Sequence, residues 1–322
     1  MNERPVLGFD LGGTKMLCAL LDSKENVIAR VKKKTQSQEG ADSILGRIVE
    51  CTREALQIAE LNPSDVRGMC IAVPGPVDRK KGVVQQTANL PFDGFPLKER
   101  LQSIIEFPLI MENDVSAGTF GEFKYGAARG YRHVVGIFPG SGIGGGLILN
   151  GSLYTGATGN AGEIGHMIIS SDGPLCGCGQ RGCLEAHSSK TAIAKEVITL
   201  ASMGEAPTAL RQAGTDFKNY TSKVLAKSSQ GGDRRVAEVL SRAAWHLGIG
   251  MANCVNILSP EVIVLGGGLV EKLGKKFVDE AEHSMHLHAM PHLVMNIKVV
   301  EASLGDDAVI LGAGALAVES LS

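Results

Sequence analysis

Long apolar runs are missing from this chain of 322 residues. No uncharged apolar stretch reaches the roughly 18 residues that a membrane-spanning helix needs, which excludes a helical membrane protein. The first residues, MNERPV, lack the apolar region of a signal peptide. We therefore expect a cytoplasmic protein without a membrane partner.

An excess of charge of one sign is missing as well. The formal net charge is -2 and the pI is about 6.5. The only short basic run, from Arg30 to Lys34, is interpreted as a solvated strand or turn, so no nucleic-acid partner is expected. The pattern G-x-x-x-x-G-K-[ST] is also absent, which excludes a P-loop nucleotide site.

Glycine, in contrast, is in surplus. The chain has 41 glycines, whereas the usual frequency of about 7% predicts about 23. Most of them follow apolar, β-branched runs, where a strand ends and the backbone turns or approaches a ligand closely. The seven cysteines are an odd number for a protein expected in the cytoplasm, which disfavours a disulfide framework and favours metal binding.

The order of apolar segments predicts an α/β fold with a largely parallel sheet and reversed strands at the hairpins. Residues 8–21 align with residues 136–149 as two copies of strand, small-residue turn, strand. The second copy ends at Asn150-Gly151, a strong hairpin signal. The duplication predicts two related halves around a cleft, with ligands beyond the carboxyl ends of the strands.

Three glycine clusters are candidate nucleotide-binding loops. Consecutive N–H groups in the turns at Gly12-Gly13 and Gly140–Gly146 can bind anionic oxygens. The cluster Gly266-Gly267-Gly268, after an apolar strand, offers a flat backbone face to a nucleoside. A purely structural turn is the alternative at each place. The second turn also matches G-x-G-x-x-G, but a strand follows it where a Rossmann fold needs a helix, which argues against a dinucleotide oxidoreductase.

Three cysteines and a histidine form a candidate metal site. Cys176, Cys178 and Cys183 lie within eight residues, and His166 lies ten residues upstream. This donor set is typical of a tetrahedral zinc site, and four protein ligands make the ion structural, since no coordination position stays open. Reduced loop cysteines without metal are the alternative.

Carboxylates at strand ends are the candidate acid and base groups. Asp114 either caps a helix that starts near Val115 or accepts a hydroxyl proton during attack on a γ-phosphoryl group. Asp10 suits a magnesium or phosphate-positioning role, with turn capping as the alternative. The histidines near the C-terminus favour a surface helix over a metal cluster; they are His283, His286, His288 and His292.

Taken together, these motifs resemble the ROK family (repressors, open reading frames and sugar kinases) of the actin-like ATPase superfamily, over nearly the whole chain. The motifs are Asp10-Leu-Gly-Gly-Thr-Lys15, Val73-Pro-Gly-Pro-Val-Asp78, Asn89-Leu90, Glu112-Asn-Asp114, Gly140-Ser-Gly-Ile-Gly-Gly-Gly146, Glu163-Ile-Gly-His166, Cys176-Gly-Cys-Gly-Gln-Arg-Gly-Cys183-Leu-Glu185, Gly232-Asp233 and Leu265-Gly-Gly-Gly268. The resemblance implies two actin-like (ribonuclease H-like) α/β lobes around a cleft, with a structural zinc loop. We expect a smaller lobe of residues 1–118 plus 307–322, and a larger lobe of residues 119–306 with the zinc site and the surface of a homodimer or homotetramer.

The resemblance also implies an activity, the transfer of the γ-phosphate of ATP, with Mg²⁺, to a hexose hydroxyl, with Asp114 as general base. The implied sugar-binding residues are Gly75, Asn89, Asn113, Asp114, Glu163, His166 and Glu185. The implied nucleotide-binding residues are Asp10, Gly12, Gly13, Thr14, Lys15, Gly140, Ser141, Gly142, Gly144, Gly266, Gly267 and Gly268. Most of the glycine surplus, with Gly312 and Gly314, is interpreted as phosphate, sugar, nucleoside and zinc loops.

A glucokinase that forms glucose 6-phosphate is the first expectation, and an N-acetylmannosamine or N-acetylglucosamine kinase is the second. The chain departs from the family in having Ser141 where threonine is common, and Pro91-Phe-Asp-Gly94 where glucokinases often have Gly-Trp. The sugar, and the choice of ATP or polyphosphate as donor, therefore stay open. A sugar-responsive regulator is less favoured, because the first strand begins near residue 6 and leaves no room for a helix-turn-helix segment.

Overall fold

A computed structural model of the chain describes residues 4–87 and 89–321. The strands are β1 (Val6–Leu11), β2 (Lys15–Leu21), β3 (Val27–Lys34), β4 (Gly68–Val73), β5 (Val77–Asp78), β6 (Val83–Val84), β7 (Leu109–Asn113), β8 (Val134–Pro139), β9 (Ile143–Leu149), β10 (Ser152–Leu153), β11 (Val262–Leu265) and β12 (Lys298–Glu301). The α-helices are α1 (Ala41–Ile58), α2 (Leu97–Gln102), α3 (Asp114–Tyr125), α4 (Leu184–Ser188), α5 (Lys190–Ser202), α6 (Pro207–Ala213), α7 (Ser222–Gln230), α8 (Arg234–Leu258), α9 (Gly267–Leu273), α10 (Lys275–His288), α11 (Pro291–Val294) and α12 (Ala308–Ser320). Within these described ranges, no helix is long and apolar enough to span a membrane.

Two five-stranded sheets repeat one topology. The first has the order β3-β2-β1-β4-β7 and the second the order β10-β9-β8-β11-β12. In each, the first strand in the chain lies at the centre of the sheet and pairs in parallel with the fourth. The predicted α/β class and the predicted duplication are confirmed. Asn150 and Gly151, with φ of 56° and 80°, turn the chain from β9 into β10 as the hairpin signal predicts.

The chain divides into two compact units. The first unit contains Met1–Gly130, Gly146–Ala161 and Ser303–Ser322, and the second contains Tyr131–Gly145 and Gly162–Ala302. The lobe boundary predicted near residue 118 and the cleft stay predictions. In the first unit, β1 and β4 are almost fully buried, and their alternate apolar residues form a core with the inner face of α1.

Close packing explains part of the glycine surplus. Helix α12 packs on β1, β4 and α3. A Cβ atom at Gly8 would overlap the carbonyl oxygen of Ile310, and one at Gly312 would overlap that of Ala117. A Cβ atom at Gly314 would lie 2.7 Å from the side chain of Leu21. The interpretation of Gly312 and Gly314 as parts of ligand loops is therefore wrong, because these glycines let a helix approach a sheet and another helix.

Candidate functional site

In the first unit, the turn between β1 and β2 is held by Thr35. The hydroxyl of Thr35 donates to the carbonyl of Gly12 at 2.6 Å, and its N–H donates to the carbonyl of Thr14 at 2.9 Å. A Cβ atom at Gly13 would lie 2.8 Å from Cβ of Asn89. The structure thus brings the predicted nucleotide turn next to a predicted sugar ligand.

Acidic groups crowd the end of β1. Burial first, and then the neighbouring carboxylate of Asp114, raise the pKa of Asp10 to about 7, although the ammonium group of Lys15 acts in the opposite direction. Lys15 donates to Oδ2 of Asp306 at 2.5 Å. Asp10 and Asp114, two carboxylates that interact electrostatically, are suited to a divalent cation. Asp306 was not singled out in the sequence, because only the fold brings it to this turn.

Asn113 and Asp114 stand where β7 ends and α3 begins. The side chain of Asn113 caps the helix by accepting the N–H of Ser116 at 3.0 Å, so the cap lies one residue earlier than the alternative predicted for Asp114. The Nδ2 group of Asn113 donates to Oδ1 of Asp114 at 3.1 Å and to the carbonyl of Gly75 at 3.2 Å. Oδ1 of Asp114 also accepts the N–H of Val115 at 2.9 Å. One oxygen of Asp114 is thus fixed by two donors.

A buried ion pair lies directly behind this segment. Nε of Arg79 donates to Oε2 of Glu112 at 2.8 Å, and Nη2 donates to Oε1. Oε1 of Glu112 also accepts the N–H of Asn113 at 2.7 Å. Burial raises the pKa of Glu112, and the Arg79 guanidinium opposes that rise. Sequence reasoning assigned no role to Arg79, and no local pattern links it to a strand more than 30 residues away.

In the second unit, the turn after β8 is contacted by Lys190, the first residue of α5, which the sequence analysis also missed. Nζ of Lys190 donates to the hydroxyl of Ser141 at 2.9 Å, and its N–H donates to the carbonyl of Gly140 at 2.9 Å. A Cβ atom at Gly267, whose φ is +83°, would lie 2.8 Å from the carbonyl oxygen of Pro139. The two predicted nucleotide loops of this unit are therefore neighbours, and a cation stands beside one of them.

The predicted metal ligands come together in the second unit. The ligand atoms of His166, Cys176, Cys178 and Cys183 all lie within 4.8 Å of one another. Nδ1 of His166 is 3.7 Å from Sγ of Cys176, and the Sγ atoms of Cys178 and Cys183 are 3.6 Å apart. A tetrahedron with Zn–S bonds of about 2.3 Å and Zn–N bonds of about 2.1 Å has edges of roughly 3.6 to 3.8 Å. The donor set and spacing therefore fit zinc.

The environment of these thiols is uneven. Burial raises the pKa of the Cys176 thiol to about 12. The backbone N–H of Gln180 lowers the pKa of Cys178, the one exposed cysteine of the group. Thiols bind metals as thiolates, so a cation at this cluster would have to deprotonate Cys176.

Glu185 connects the metal cluster to the glycine turn. Its Oε2 accepts the N–H of Ile143 at 2.9 Å, and its Oε1 lies 3.6 Å from Sγ of Cys176. A Cβ atom at Gly142 would overlap that carboxylate. The Oε2 atom of Glu163 lies 4.0 Å from Nε2 of His166. These three predicted sugar ligands, Glu163, His166 and Glu185, thus lie around one loop.

The C-terminal histidines do not join a metal cluster. All four are exposed, with three on α10 and His292 on α11. Among the residues that the structure describes, the only group of three or more potential ligands is the Cys3His set. The predicted surface location is confirmed.

The chain matches known proteins along its whole length. The family model of the ROK family matches residues 6–320. A glucokinase of Halalkalibacterium halodurans is 31% identical over 98% of this chain and 95% of its own length. A putative xylose repressor of Caldicellulosiruptor sp. is 28% identical over 99% of this chain and 79% of its own length. The crystal structure of a ROK family glucokinase of Streptomyces griseus, in complex with glucose and AMPPNP, has a TM-score of 0.83 and 27% identity, covering 98% of this chain and 100% of that chain. The chain belongs to the ROK family.

Proposed function

We propose that this protein is an ATP-dependent hexose kinase that phosphorylates glucose at the 6-hydroxyl, with Asp114 as general base. The observation that carries the proposal is a pair of carboxylates in the first unit, Asp10 near the carboxyl end of β1 and Asp114 after β7. The two strands lie on either side of β4, and the carboxylate of Asp114 contributes to the raised pKa of Asp10. Asp114 accepts the hydroxyl proton. Asp10, two residues before Gly12, stands next to the turn whose backbone N–H groups bind phosphate, as phosphoryl transfer requires. The related glucokinases support this choice of reaction.

In this proposal, the turn of Gly12, Gly13 and Thr14 binds nucleotide phosphate, and the turn of Gly140–Gly144 is also assigned to phosphate. Asp10 would hold Mg²⁺, either directly or through its water ligands. The ion would neutralise negative charge on the phosphates. Lys15 and Asp306 form an exposed ion pair beside Asp10, and this pair orients the lysine along the turn. Gly266, Gly267 and Gly268 give the nucleoside a surface without side chains.

The sugar hydroxyls are bound by carboxylates and amides, each of which can serve two adjacent hydroxyl groups. We assign Gly75, Asn89, Asn113 and Asp114 to this role, together with Glu163, His166 and Glu185. The zinc loop is structural in this assignment. With Nδ1 facing Cys176, His166 keeps its Nε2 atom for the sugar, on the side of Glu163.

An N-acetylmannosamine or N-acetylglucosamine kinase is the second candidate. The observation that favours it is the segment Pro91-Phe-Asp-Gly94, which replaces the Gly-Trp expected of a glucokinase. Phe92 is fully buried and stacks on Phe95, with ring centroids 4.7 Å apart. Its packing therefore sets the conformation of this segment. The cytoplasmic location, the homodimer or homotetramer and the absence of a nucleic-acid partner stay predictions.

A coupled assay across glucose, mannose, N-acetylglucosamine and N-acetylmannosamine, with ATP or polyphosphate as donor, tests the function. We expect the highest kcat/KM with ATP and glucose. Asp114→Asn should lose at least about 100-fold in kcat, while the Kd for sugar, measured by calorimetry, changes little. Asp42→Asn, an exposed carboxylate on α1, is the matched control. Wild-type turnover in Asp114→Asn, or no turnover of any hexose, would sink the proposal.

A further inference from the structure

The side chain of Arg79 leaves its own turn and binds Glu112 on β7 of the first unit. Arg79 follows β5 directly, in the turn of the hairpin with β6. Its neighbours in that turn serve the turn itself: the carbonyl of Asp78 accepts the N–H of Gly82 at 2.7 Å, and Oδ1 of Asp78 accepts the N–H of Lys81 at 3.0 Å. Arg79 instead turns inward, and its side chain is about one-fifth exposed.

The guanidinium group is fixed from two sides. On one side, it binds both carboxylate oxygens of Glu112, whose side chain is 7% exposed. On the other side, it lies against Gly159, where a Cβ atom would stand 2.7 Å from Nη1. Two parallel N–H···O bonds fix the plane of a carboxylate in a way that a single lysine ammonium cannot. Glu112 therefore has one orientation.

That orientation matters because of the third bond of Glu112. Its Oε1 accepts the N–H of Asn113, the residue that caps α3 and binds Asp114 through Nδ2. The chain of contacts from Arg79 through Glu112 and Asn113 reaches Asp114 without a gap. A buried ion pair gains little stability over a well-packed apolar pair, so a stability role alone accounts poorly for this one.

We propose that Arg79 is a positioning residue that, through Glu112 and the backbone of Asn113, sets the direction of the Asp114 carboxylate toward the sugar hydroxyl. The inference rests on the proposed function, in which Asp114 is the base. Nη1 of Arg79 is buried, and it has no hydrogen-bond partner within the described residues. The two hydrogen bonds to Glu112 therefore hold the guanidinium group of Arg79 in place.

The test measures kcat and KM separately in Arg79→Gln. Because misplacement of a reacting group by about 1 Å can cost 100-fold, we expect kcat to fall by about 10-fold to 100-fold, while KM for ATP stays within about twofold. Arg79→Lys keeps the charge but loses the paired bonds, so its kcat should lie between those of the wild type and Arg79→Gln. Lys80→Gln, an exposed neighbour in the same turn, is the control and should keep the wild-type kcat.

The double variant Arg79→Gln/Glu112→Gln separates positioning from stability. It removes the unpaired buried charge that Arg79→Gln alone would leave, so its melting temperature should recover toward the wild type. Its kcat should stay low, because the fixed carboxylate is gone. Recovery of kcat together with the melting temperature, or a wild-type kcat in Arg79→Gln, would overturn the inference. If Asp114→Asn itself keeps wild-type turnover, the proposed function fails and not this step alone.

Discussion

Glu122 on α3 accepts two hydrogen bonds from Ser303, one from its N–H at 3.0 Å and one from its hydroxyl at 3.2 Å. The same carboxylate accepts the N–H groups of Leu304 and Ala127, each at 2.8 Å. The side chain is fully buried within the first unit. It therefore fixes both the C-terminal end of α3 and the segment that leads into α12.

Glu122→Ala should lower the free energy of unfolding by roughly 3 kcal/mol, because four donors lose their charged acceptor inside the unit. Urea unfolding followed by circular dichroism measures this. Glu319→Ala removes a carboxylate that pairs with Lys124 at the surface at 2.8 Å and should cost less than about 1 kcal/mol. Equal losses in the two variants would contradict the assigned role of Glu122.

Asp10→Asn should stabilise the protein more at pH 8 than at pH 5. Burial and the Asp114 carboxylate raise the pKa of Asp10 to about 7, above its ordinary 3.8, so the folded state binds a proton more tightly than the unfolded state. That contribution to stability is fully present below about pH 4 and is lost as the pH rises through 7. Because asparagine cannot ionise, the Asp10→Asn variant loses no stability from this position as the pH rises.

Urea unfolding of wild type and Asp10→Asn at pH 5 and pH 8, without Mg²⁺, gives this difference. Added Mg²⁺ should stabilise the wild type at pH 8 and leave Asp10→Asn unchanged. Asp22→Asn is the contrast, since hydrogen bonds from Asn26 lower the pKa of Asp22 below its ordinary 3.8. Asp22 is therefore ionised in the folded and unfolded states at both pH values, and the effect of Asp22→Asn should be the same at pH 5 and pH 8. If wild type and Asp10→Asn differ by the same free energy of unfolding at pH 5 and at pH 8, the result would count against a raised pKa of Asp10.

His246→Phe should reduce the acid sensitivity of the second unit. Burial lowers the pKa of His246 from 6.5 to about 4, and the rings of His246 and His187 lie 4.3 Å apart at their centroids. The unfolded state therefore binds more protons, and the wild type loses stability as the pH falls from 6.5 through 4. Phenylalanine keeps the ring contact without a charge. A melting temperature that falls equally in both proteins between pH 7 and pH 5 would contradict this.

Cys178→Ser should remove the zinc ion and lower the melting temperature. We expect about one zinc per chain in the wild type by elemental analysis, and a loss of several degrees on chelation, because binding free energy at such a site contributes to folding. Cys254→Ser, a buried cysteine in α8, should keep its zinc even if the core loosens. Unchanged metal content in Cys178→Ser would refute the predicted ligand set.

The features that were predictable from sequence are those held within a few residues of one another. The hairpin at Asn150 and Gly151 depends on local backbone preference, and the spacing of Cys176, Cys178 and Cys183 already places three thiols on one loop. The repeated strand, turn and strand pattern predicted the duplicated sheet for the same reason, since neighbouring strands pair through short turns.

The features that were missed depend on contacts between distant residues. Arg79 meets Glu112, and Lys190 meets Ser141, only because separate elements pack side by side. The helix cap lies at Asn113 and not at Asp114 because α3 begins at Asp114, one residue before the start expected near Val115. Gly312 faces Ala117 rather than a ligand, a distinction that composition cannot make.

Helix α12 also carries a consequence for biosynthesis. It covers β1 and β4 in the first unit, and Nη2 of Arg67 holds the carbonyl of Val318 at 2.7 Å. The strands β1 and β4 are therefore synthesised well before the helix that covers them. Until then, the apolar face of β1 and β4 lacks its cover, and a premature stop codon ahead of α12 would leave that face exposed and prone to aggregation.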